Sequence, residues 1–373
     1  MNAKVPPSMF DETSNEENSY KDYPEVFGSN ARELPEIEPG KPGDSLSVKT
    51  GENPECSTRV SGQILPITRG NARKEPVINV TEGVALMDMK LPPRSMLLSP
   101  WLPERGIGMV YAPRGIGKTF FALEVAMCVA TGTSFLGWKP EEAQKVLYLD
   151  GEMSRNDLQD RMRKLERGRK DALKGRVGFV TPEGQDGPCP DLSVPEWHRH
   201  LEPHVSKVKL IIVDNISTLC RTGSENDAES WQIAQQWAIQ QKSAGRTVLF
   251  IHHAGKGGAQ RGTSKREDVM DTVIALKRPD DYQAKQGARF EVHFEKSRGF
   301  SGEDAEPFVV QLEEKSGQFE WLSDSLEETL YQKVVAMLKL DMAQKDIAEE
   351  LMINKSTVSR HSKRAKQEGV LTG

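Results

Sequence analysis

The sequence predicts an α/β domain with a mostly parallel central sheet, followed by a small all-α domain. Short, almost continuous apolar runs at 109–111, 146–149, 210–213 and 248–251 lead into glycine-containing or polar segments. Such runs are typical of parallel strands that are buried on both faces, and segments with helical patterns lie between them. Residues 343–373 contain two short amphipathic segments joined by a turn, which predicts a separate helical domain.

The first apolar run belongs to a phosphate-binding pattern. Residues 108–119 read GMVYAPRGIGKT and lead into a long apolar segment that stops near Gly132. Strand, glycine-containing loop and helix in this order are the context of a P-loop. Backbone N–H groups and the positive helix end surround a phosphate there, so the loop needs small residues. We expect eight residues to hold the nucleotide: Pro113, Arg114, Gly115, Ile116, Gly117, Lys118, Thr119 and Phe120.

Two side chains of this loop have specific tasks. Lys118 is expected to reach the β- and γ-phosphate oxygens, and the hydroxyl of Thr119 to bind Mg²⁺. The sequence therefore predicts ATP and Mg²⁺ as cofactors.

Ala112 stands where the usual pattern has its first glycine. Because alanine disfavours positive φ, the chain must begin the loop in a conformation that alanine tolerates. A chance glycine turn before a buried helix is the alternative.

The second apolar run, 146–149, ends in an acidic cluster of Asp150, Gly151 and Glu152. Ligands of parallel sheets bind beyond the carboxyl ends of the strands, so an acid placed there can polarise the attacking water. Glu152 is our candidate general base, and Asp150 is second to it. The alternative is that these acids only form the turn at the end of the strand. The presence of a P-loop in the same chain favours the catalytic interpretation over this alternative.

The third apolar run, 210–213, ends in Asp214. This is the Walker B pattern, in which the strand-end aspartate holds the Mg²⁺ shell beside Thr119. Isolated runs of this kind occur by chance, but one that follows a P-loop with another strand and helix between them predicts a metal-binding carboxylate.

The fourth apolar run, 248–251, is followed by His252, His253 and a glycine-rich basic loop. A polar residue at this strand end can sense the γ-phosphate. We name His252 for this role and leave open which of the two histidines acts. Lys256 and Arg261 of the loop suit the backbone of single-stranded DNA. A structural histidine and an ordinary surface loop remain an equal alternative.

Two basic residues end the alternating strand predicted near residues 289–298. In a ring-shaped ATPase, a lysine and an arginine at a strand end can reach the nucleotide of the neighbouring subunit and neutralise the developing phosphoryl charge. Lys296 and Arg298 are the candidates. The K-x-R pattern is weak support when taken alone.

The C-terminal segment has the pattern of a helix-turn-helix. Its apolar positions fall where such a unit buries its core, and its second helix concentrates positive charge in a chain whose net charge is −5. We expect contacts with duplex DNA from Lys355, Ser356, Thr357, Arg360, Lys363 and Arg364. An ordinary helical hairpin is the alternative.

The composition of the chain indicates its domain boundaries and its location in the cell. Residues 1–75 are rich in Pro, Glu, Ser and Gly and are expected to be disordered. The α/β domain is predicted over 76–322 and the helical domain over 325–373. The 4 cysteines are scattered without a C-x-x-C pair, which indicates reduced thiols and a cytoplasmic location. No stretch reaches membrane-spanning length, so no membrane partner is expected.

The stretch from about 100 to 322 resembles RecA-like ATPases of the AAA_25 type. It is similar to the RepA-type hexameric replicative helicases of plasmids and to the ATPase domains of bacterial replicative helicases. LPERGIGMVYAPRGIGKT, VLYLDGEM, LIIVDN and FIHHAGK carry the resemblance. It implies a RecA-like core, a homo-oligomeric ring, ATP hydrolysis and DNA translocation. It also implies that Lys296 and Arg298 act in trans, with Glu152 as base and Asp214 as metal ligand.

Two functional hypotheses follow. The first is a Mg²⁺-dependent ATPase motor acting on DNA, a replication helicase of the plasmid or phage type. The second is an ATP-switched regulator that binds specific DNA sequences and does not unwind them. The basic loop after His253 favours the motor, and the C-terminal domain favours the regulator.

Overall fold

The computed structural model describes residues 78–221, 228–254 and 267–371 of the 373-residue chain. Its central element is a nine-stranded sheet. The strands are β3 (Ile107–Ala112), β4 (Val146–Asp150), β5 (Val177–Val180), β6 (Leu210–Asp214), β7 (Thr247–His253), β8 (Thr272–Lys277), β9 (Arg289–Ser297), β10 (Phe308–Lys315) and β11 (Gln318–Ser325). Two short strands, β1 (Met96–Leu98) and β2 (Leu102–Pro103), form a separate antiparallel pair.

The sheet order is β11-β10-β9-β8-β3-β7-β6-β4-β5. The strands from β8 to β5 in this order pair in parallel, whereas β9, β10 and β11 are antiparallel to their neighbours. The prediction of a mostly parallel α/β sheet is confirmed. Strands β3, β4, β6 and β7 are buried along their whole length, which is why their sequences are almost continuously apolar. Parallel pairing brings their carboxyl ends to one edge of the sheet.

Helices cover both faces of the sheet. They are α2 (Lys118–Thr131), α3 (Arg155–Leu165), α4 (Lys170–Leu173), α5 (Pro195–Val205), α6 (Ile216–Leu219) and α7 (Ala228–Ser243). Phe121 of α2 packs in the apolar cluster on one face, and Trp237 of α7 packs in the cluster on the other. Helix α2 ends at the predicted position because Gly132 adopts φ +74° and its N–H bonds to the carbonyl of Cys128.

Three further helices, α8 (Leu326–Lys339), α9 (Gln344–Glu350) and α10 (Lys355–Gln367), form a C-terminal helical unit. Val334, Ile347 and Val358, one from each helix, share a small apolar cluster. The turn between α9 and α10 contains Met352 at φ +50°, a conformation that glycine adopts more readily.

The N-terminal part is described only from residue 78. Helix α1 (Gly83–Asp88) begins after Glu82, whose carboxylate accepts a hydrogen bond of 2.9 Å from the N–H of Ala85. This helix buries none of its side chains. The segment predicted to be disordered, residues 1–75, lies outside the described residues. No helix among residues 78–221, 228–254 and 267–371 has both the length and the apolar character needed to cross a membrane.

Candidate active site

The loop between β3 and α2 has the backbone conformation that its glycines predict. Gly115 has φ +71° and Gly117 has φ +119°, values that disfavour other residues. A side chain on Gly117 would also bring its Cβ to 2.9 Å from the Cβ of Ala288. Ala112 is the last residue of β3 and is buried in extended conformation. This explains why alanine is tolerated where the usual pattern has glycine.

Lys118 begins α2 and is buried. Its ammonium donates hydrogen bonds to the carbonyls of Ala112 at 3.1 Å and Pro113 at 2.8 Å, so it lies against the residues that begin the loop. Burial lowers the pKa of Lys118 to about 8, and the nearby carboxylates of Asp214 and Glu152 partly oppose this shift. Phosphate oxygens offer this ammonium the same kind of acceptor as the two carbonyls, with negative charge in addition.

Asp214 lies at the buried end of β6, in register with Asp150 of β4. The hydroxyl of Tyr148 donates to its Oδ2 at 2.6 Å, and the hydroxyl of Thr119 lies near enough to help lower the pKa of this carboxylate. Burial raises the pKa of Asp214 to about 6, and the neighbouring carboxylates of Asp150 and Glu152 add to the shift. The structure thus brings together the two predicted metal ligands, Thr119 and Asp214.

Glu152 follows β4 in a turn that Asp150 holds. The Oδ1 of Asp150 accepts hydrogen bonds from the backbone N–H of Glu152 at 2.9 Å and of Met153 at 3.1 Å. Gly151 must be a glycine, since a Cβ there would overlap the side chains of Thr218 and Leu219. The Glu152 side chain is 57 % exposed, whereas Asp150 is buried. Of the two acids, Glu152 is the one that a water molecule can reach.

The Glu152 carboxylate is held by a residue that sequence reasoning missed. The side-chain amide of Asn215 donates to Oε2 of Glu152 at 2.6 Å and lies 3.3 Å from Nε2 of His253. His253 Nε2 is 3.9 Å from the same carboxylate oxygen. Asn215 directly follows Asp214. A polar residue directly after a buried strand was the signal that indicated the two histidines, and the same signal could have indicated Asn215.

Of the two histidines, His253 is the one beside Glu152. Successive residues of a strand point to opposite faces. Leu249 and Ile251 pack in the apolar cluster on the α2 face, and Val248 and Phe250 in the cluster on the other face. His253 therefore shares the α2 face, and His252 points to the opposite one. The structure does not bring His252, the residue named from the sequence, to the carboxylates.

Lys296 and Arg298 lie at the opposite edge of the sheet from the P-loop. Ser297 pairs with Thr272, which pairs with Gly108, four residues before the end of β3. This places them roughly 13 Å along the strands from the loop. The ammonium of Lys296 bonds to the carbonyl of Glu267, and the guanidinium of Arg298 to that of Asp268 at 3.3 Å. They are not part of the site in their own chain, and a role in a neighbouring subunit remains a prediction.

The family model of the AAA domain, AAA_25, matches residues 75–259. This part of the chain is thus similar to AAA-type ATPase domains. The matched range includes the P-loop, Glu152, Asp214 and His253, and it ends before Lys296 and before the C-terminal helical unit.

Two solved structures resemble the chain at low identity. A KaiC-like protein from the archaeon Pyrococcus horikoshii is 16 % identical, with a TM-score of 0.44, over 61 % of this chain and 93 % of that one. The flagellar accessory protein FlaH from Methanocaldococcus jannaschii is 14 % identical, with a TM-score of 0.41, over 59 % of this chain and 90 % of that one.

The candidate site has a suitable place for Mg²⁺. No group of three or more His, Cys, Asp or Glu side chains among the described residues is arranged to hold a metal ion by itself. At a P-loop, however, Mg²⁺ takes most of its ligands from the nucleotide and water. Thr119 and Asp214 supply two adjacent oxygen donors. Asp150 Oδ2 is buried without a hydrogen-bond partner in the described part of the chain, so a cation would relieve excess negative charge here.

The candidate DNA residues divide into two groups. Lys256 and Arg261 lie outside the described residues. On α10, Lys355, Ser356 and Lys363 are exposed and Thr357 is half-buried.

The two arginines of α10 have partners within the C-terminal helical unit. The guanidinium of Arg364 donates to Glu368 at 2.7 Å and to Glu328 at 2.9 Å, and it lies over the ring of Tyr331 at 4.0 Å. Arg360 pairs with Glu327 at 3.2 Å. Both arginines thus hold α10 against α8.

Proposed function

We propose that this protein is a Mg²⁺-dependent ATPase that couples ATP hydrolysis to movement on DNA, as a replicative helicase of the plasmid or phage type. The ATPase part of the proposal is supported by one cluster: Lys118, Thr119, Asp214 and Glu152 meet at the carboxyl edge of the sheet. In this arrangement Lys118 would bind phosphate, and Thr119 and Asp214 would hold a Mg²⁺ ion, which would supply positive charge to neutralise the phosphates. Glu152, oriented by Asn215, accepts a proton from the attacking water.

The link to DNA is supported by the position of basic residues directly after β7 in the sequence. His253 contacts Asn215 and lies beside Glu152, and the chain runs on from it into the segment that contains Lys256 and Arg261. A change at the γ-phosphate that moves Glu152 and Asn215 would thereby reach the end of β7, directly before these basic residues in the sequence. This is the connection that a motor on single-stranded DNA requires.

A second candidate function is supported by the C-terminal helical unit. The exposed side chains of Lys355, Ser356 and Lys363 on α10 suit phosphate and base contacts in duplex DNA. A regulator that binds duplex DNA and is reset by hydrolysis would need this helix and no translocation.

The deciding experiment is ATP hydrolysis by the full-length protein alone, with single-stranded DNA and with duplex DNA. The motor predicts stimulation by single strands that is lost in Lys256→Ala/Arg261→Ala and retained in Lys355→Ala/Lys363→Ala, followed by strand displacement. The regulator predicts stimulation by duplex DNA that is lost in Lys355→Ala/Lys363→Ala and retained in Lys256→Ala/Arg261→Ala. It also predicts that the protein does not displace a DNA strand. A rate that neither DNA changes would contradict both.

A further inference from the structure

The segment between β8 and β9 touches the P-loop at two points. We call residues 278–288 the bridging segment. At its start, the guanidinium of Arg278 donates to the carbonyl of Gly115 at 3.3 Å. At its end, Ala288 packs so closely on Gly117 that a Cβ on that glycine would lie 2.9 Å away. The segment therefore supports the loop beside the residues whose backbone N–H groups are expected to bind phosphate.

The interior of the bridging segment is held by its own side chains. The guanidinium of Arg278 lies over the ring of Tyr282, 4.2 Å from its centroid, and the hydroxyl of Tyr282 donates to the carbonyl of Gly287 at 3.0 Å. Arg289 donates to both carboxylate oxygens of Asp281, at 3.0 and 3.3 Å. Asp281 and Arg278 lie three residues apart in a segment that these contacts hold together. A displacement of Asp281 is therefore expected to move Arg278 as well.

Asp281 also contacts the C-terminal helical unit. The ammonium of Lys333, in the middle of α8, lies 3.2 Å from Oδ2 of Asp281. Burial raises the pKa of Asp281, but hydrogen bonds from Arg289 and Lys333 outweigh this and lower it below its usual value. The carboxylate is thus charged at neutral pH. The ion pair connects α8 to a segment that supports the P-loop.

The connection extends to α10. Arg360 and Arg364 of α10 pair with Glu327 and Glu328 of α8. A partner that displaces α10 would pull on α8 and, through Lys333, on the bridging segment. We propose that the bridging segment couples the C-terminal helical unit to the nucleotide site, with Arg278 as a positioning residue for the P-loop and Lys333 as its link to α8.

This inference rests on the ATPase part of the proposed function and not on DNA binding. It predicts that the affinity for ATP depends on Lys333, which is far from the nucleotide in sequence. A partly exposed ion pair of this kind supports a change of roughly two- to five-fold. Because the contact supports binding rather than the chemical step, the KM for ATP should rise while kcat stays nearly constant.

The test uses the full-length protein without DNA. ATP binding and hydrolysis are measured for Lys333→Met, Asp281→Asn and the double variant, with Lys333→Arg as the conservative replacement and thermal melting as the check on folding. Lys285→Met is the matched control, because Lys285 lies in the same segment, is exposed and has no ion-pair partner among the described residues. We expect a raised KM in Lys333→Met, restoration in Lys333→Arg, and a double variant no worse than Asp281→Asn.

A second measurement follows the same link in the other direction, because coupling between two sites is reciprocal. ATP should change hydrogen exchange in α8 and α10 of the wild type and not of Lys333→Met. An unchanged KM in Lys333→Met, an equal rise in Lys285→Met, or additive effects of the two single variants would overturn the inference. If the wild type binds no ATP, the ATPase proposal fails instead, so the two failures are distinguishable.

Discussion

At the scale of single residues, the proposed hydrolysis should depend on Glu152 and on the side-chain amide of Asn215, which donates a hydrogen bond to it. Replacing Glu152 by Gln preserves the shape and the bond to Asn215 but removes the proton acceptor. General bases contribute roughly 10²- to 10⁴-fold, so we expect kcat to fall by at least about 100-fold while ATP binding changes little. Steady-state hydrolysis and nucleotide titration measure the two quantities. The control is Glu303→Gln, in the short helix after β9. Normal turnover in Glu152→Gln would remove this residue as the base.

The protonation of Lys118 sets a second prediction at this scale. Its pKa of about 8 means that the ammonium is charged below this pH and neutral above it. The charged form attracts the phosphates, so the Kd for ATP should be constant near pH 7 and rise as the pH passes about 8. Because bound phosphate holds the proton on Lys118, the rise should approach tenfold per pH unit between the pKa of the free protein and the higher pKa of the ATP-bound protein.

This dependence is measured by nucleotide titration between pH 7 and 9.5, where the phosphates of ATP are fully ionised. Lys118→Ala is the reference, because it should bind weakly at every pH in this range. An affinity of the wild type that does not change up to pH 9.5 would show that Lys118 remains charged.

At the scale of elements, strand alternation separates the two histidines of β7. His253 shares the face of Asn215 and Glu152, whereas His252 faces the α7 side of the sheet. We expect His253→Ala to lower kcat by about tenfold or more with little change in ATP affinity. We expect His252→Ala to lower the Tm more than kcat, because it removes a buried side chain. Hydrolysis rates and melting curves of both variants decide the matter, and the reverse pattern would contradict the assignment.

The two groups of basic residues on α10 lead to different expectations. Lys355 and Lys363 are free to contact phosphates, so Lys363→Ala should weaken duplex binding and reduce the slope of log K against log salt by about 1. Arg364→Ala should instead lower the stability of the C-terminal helical unit, because Arg364 bonds to Glu328 and Glu368. Salt titrations of binding and thermal melting distinguish these effects. A slope left unchanged by Lys363→Ala would exclude it as a phosphate contact.

These elements also show what the sequence could predict. The positions of the P-loop, Asp214 and Glu152 beyond strand ends could be predicted, because each follows a strand buried on both faces, whose apolar run is visible in the sequence itself. His253 and Asn215 were not singled out from the sequence. Which side chains at the strand ends face α2 depends on how the strands pair across the whole sheet, and the sequence alone does not show this pairing. The pairing of Arg364 with Glu328 was invisible for a similar reason: 36 residues separate the two, and only helix packing brings them together.

At the scale of the whole molecule, the candidate functional residues lie at two opposite edges of the sheet. The proposed nucleotide site is at the carboxyl edge of the parallel strands. Lys296 and Arg298 are at the other edge, near the carbonyls of Glu267 and Asp268. One chain cannot bring both edges to the same nucleotide. If Arg298 assists hydrolysis, it does so for a neighbouring copy, and the active form must be an oligomer.

This leads to a mixing prediction. Arg298→Ala keeps an intact P-loop but offers its neighbour no arginine, and Lys118→Ala keeps the arginine but has an inactive P-loop. Each should hydrolyse ATP poorly alone. In mixed oligomers, some intact P-loops would face a subunit that carries Arg298, so hydrolysis should partly return. The control mixes Arg298→Ala with the double variant Lys118→Ala/Arg298→Ala, which supplies no arginine and should restore nothing. Recovery in both mixtures, or in neither, would argue against action between subunits, and an Arg298→Ala variant with wild-type turnover would leave this arginine without a role in hydrolysis.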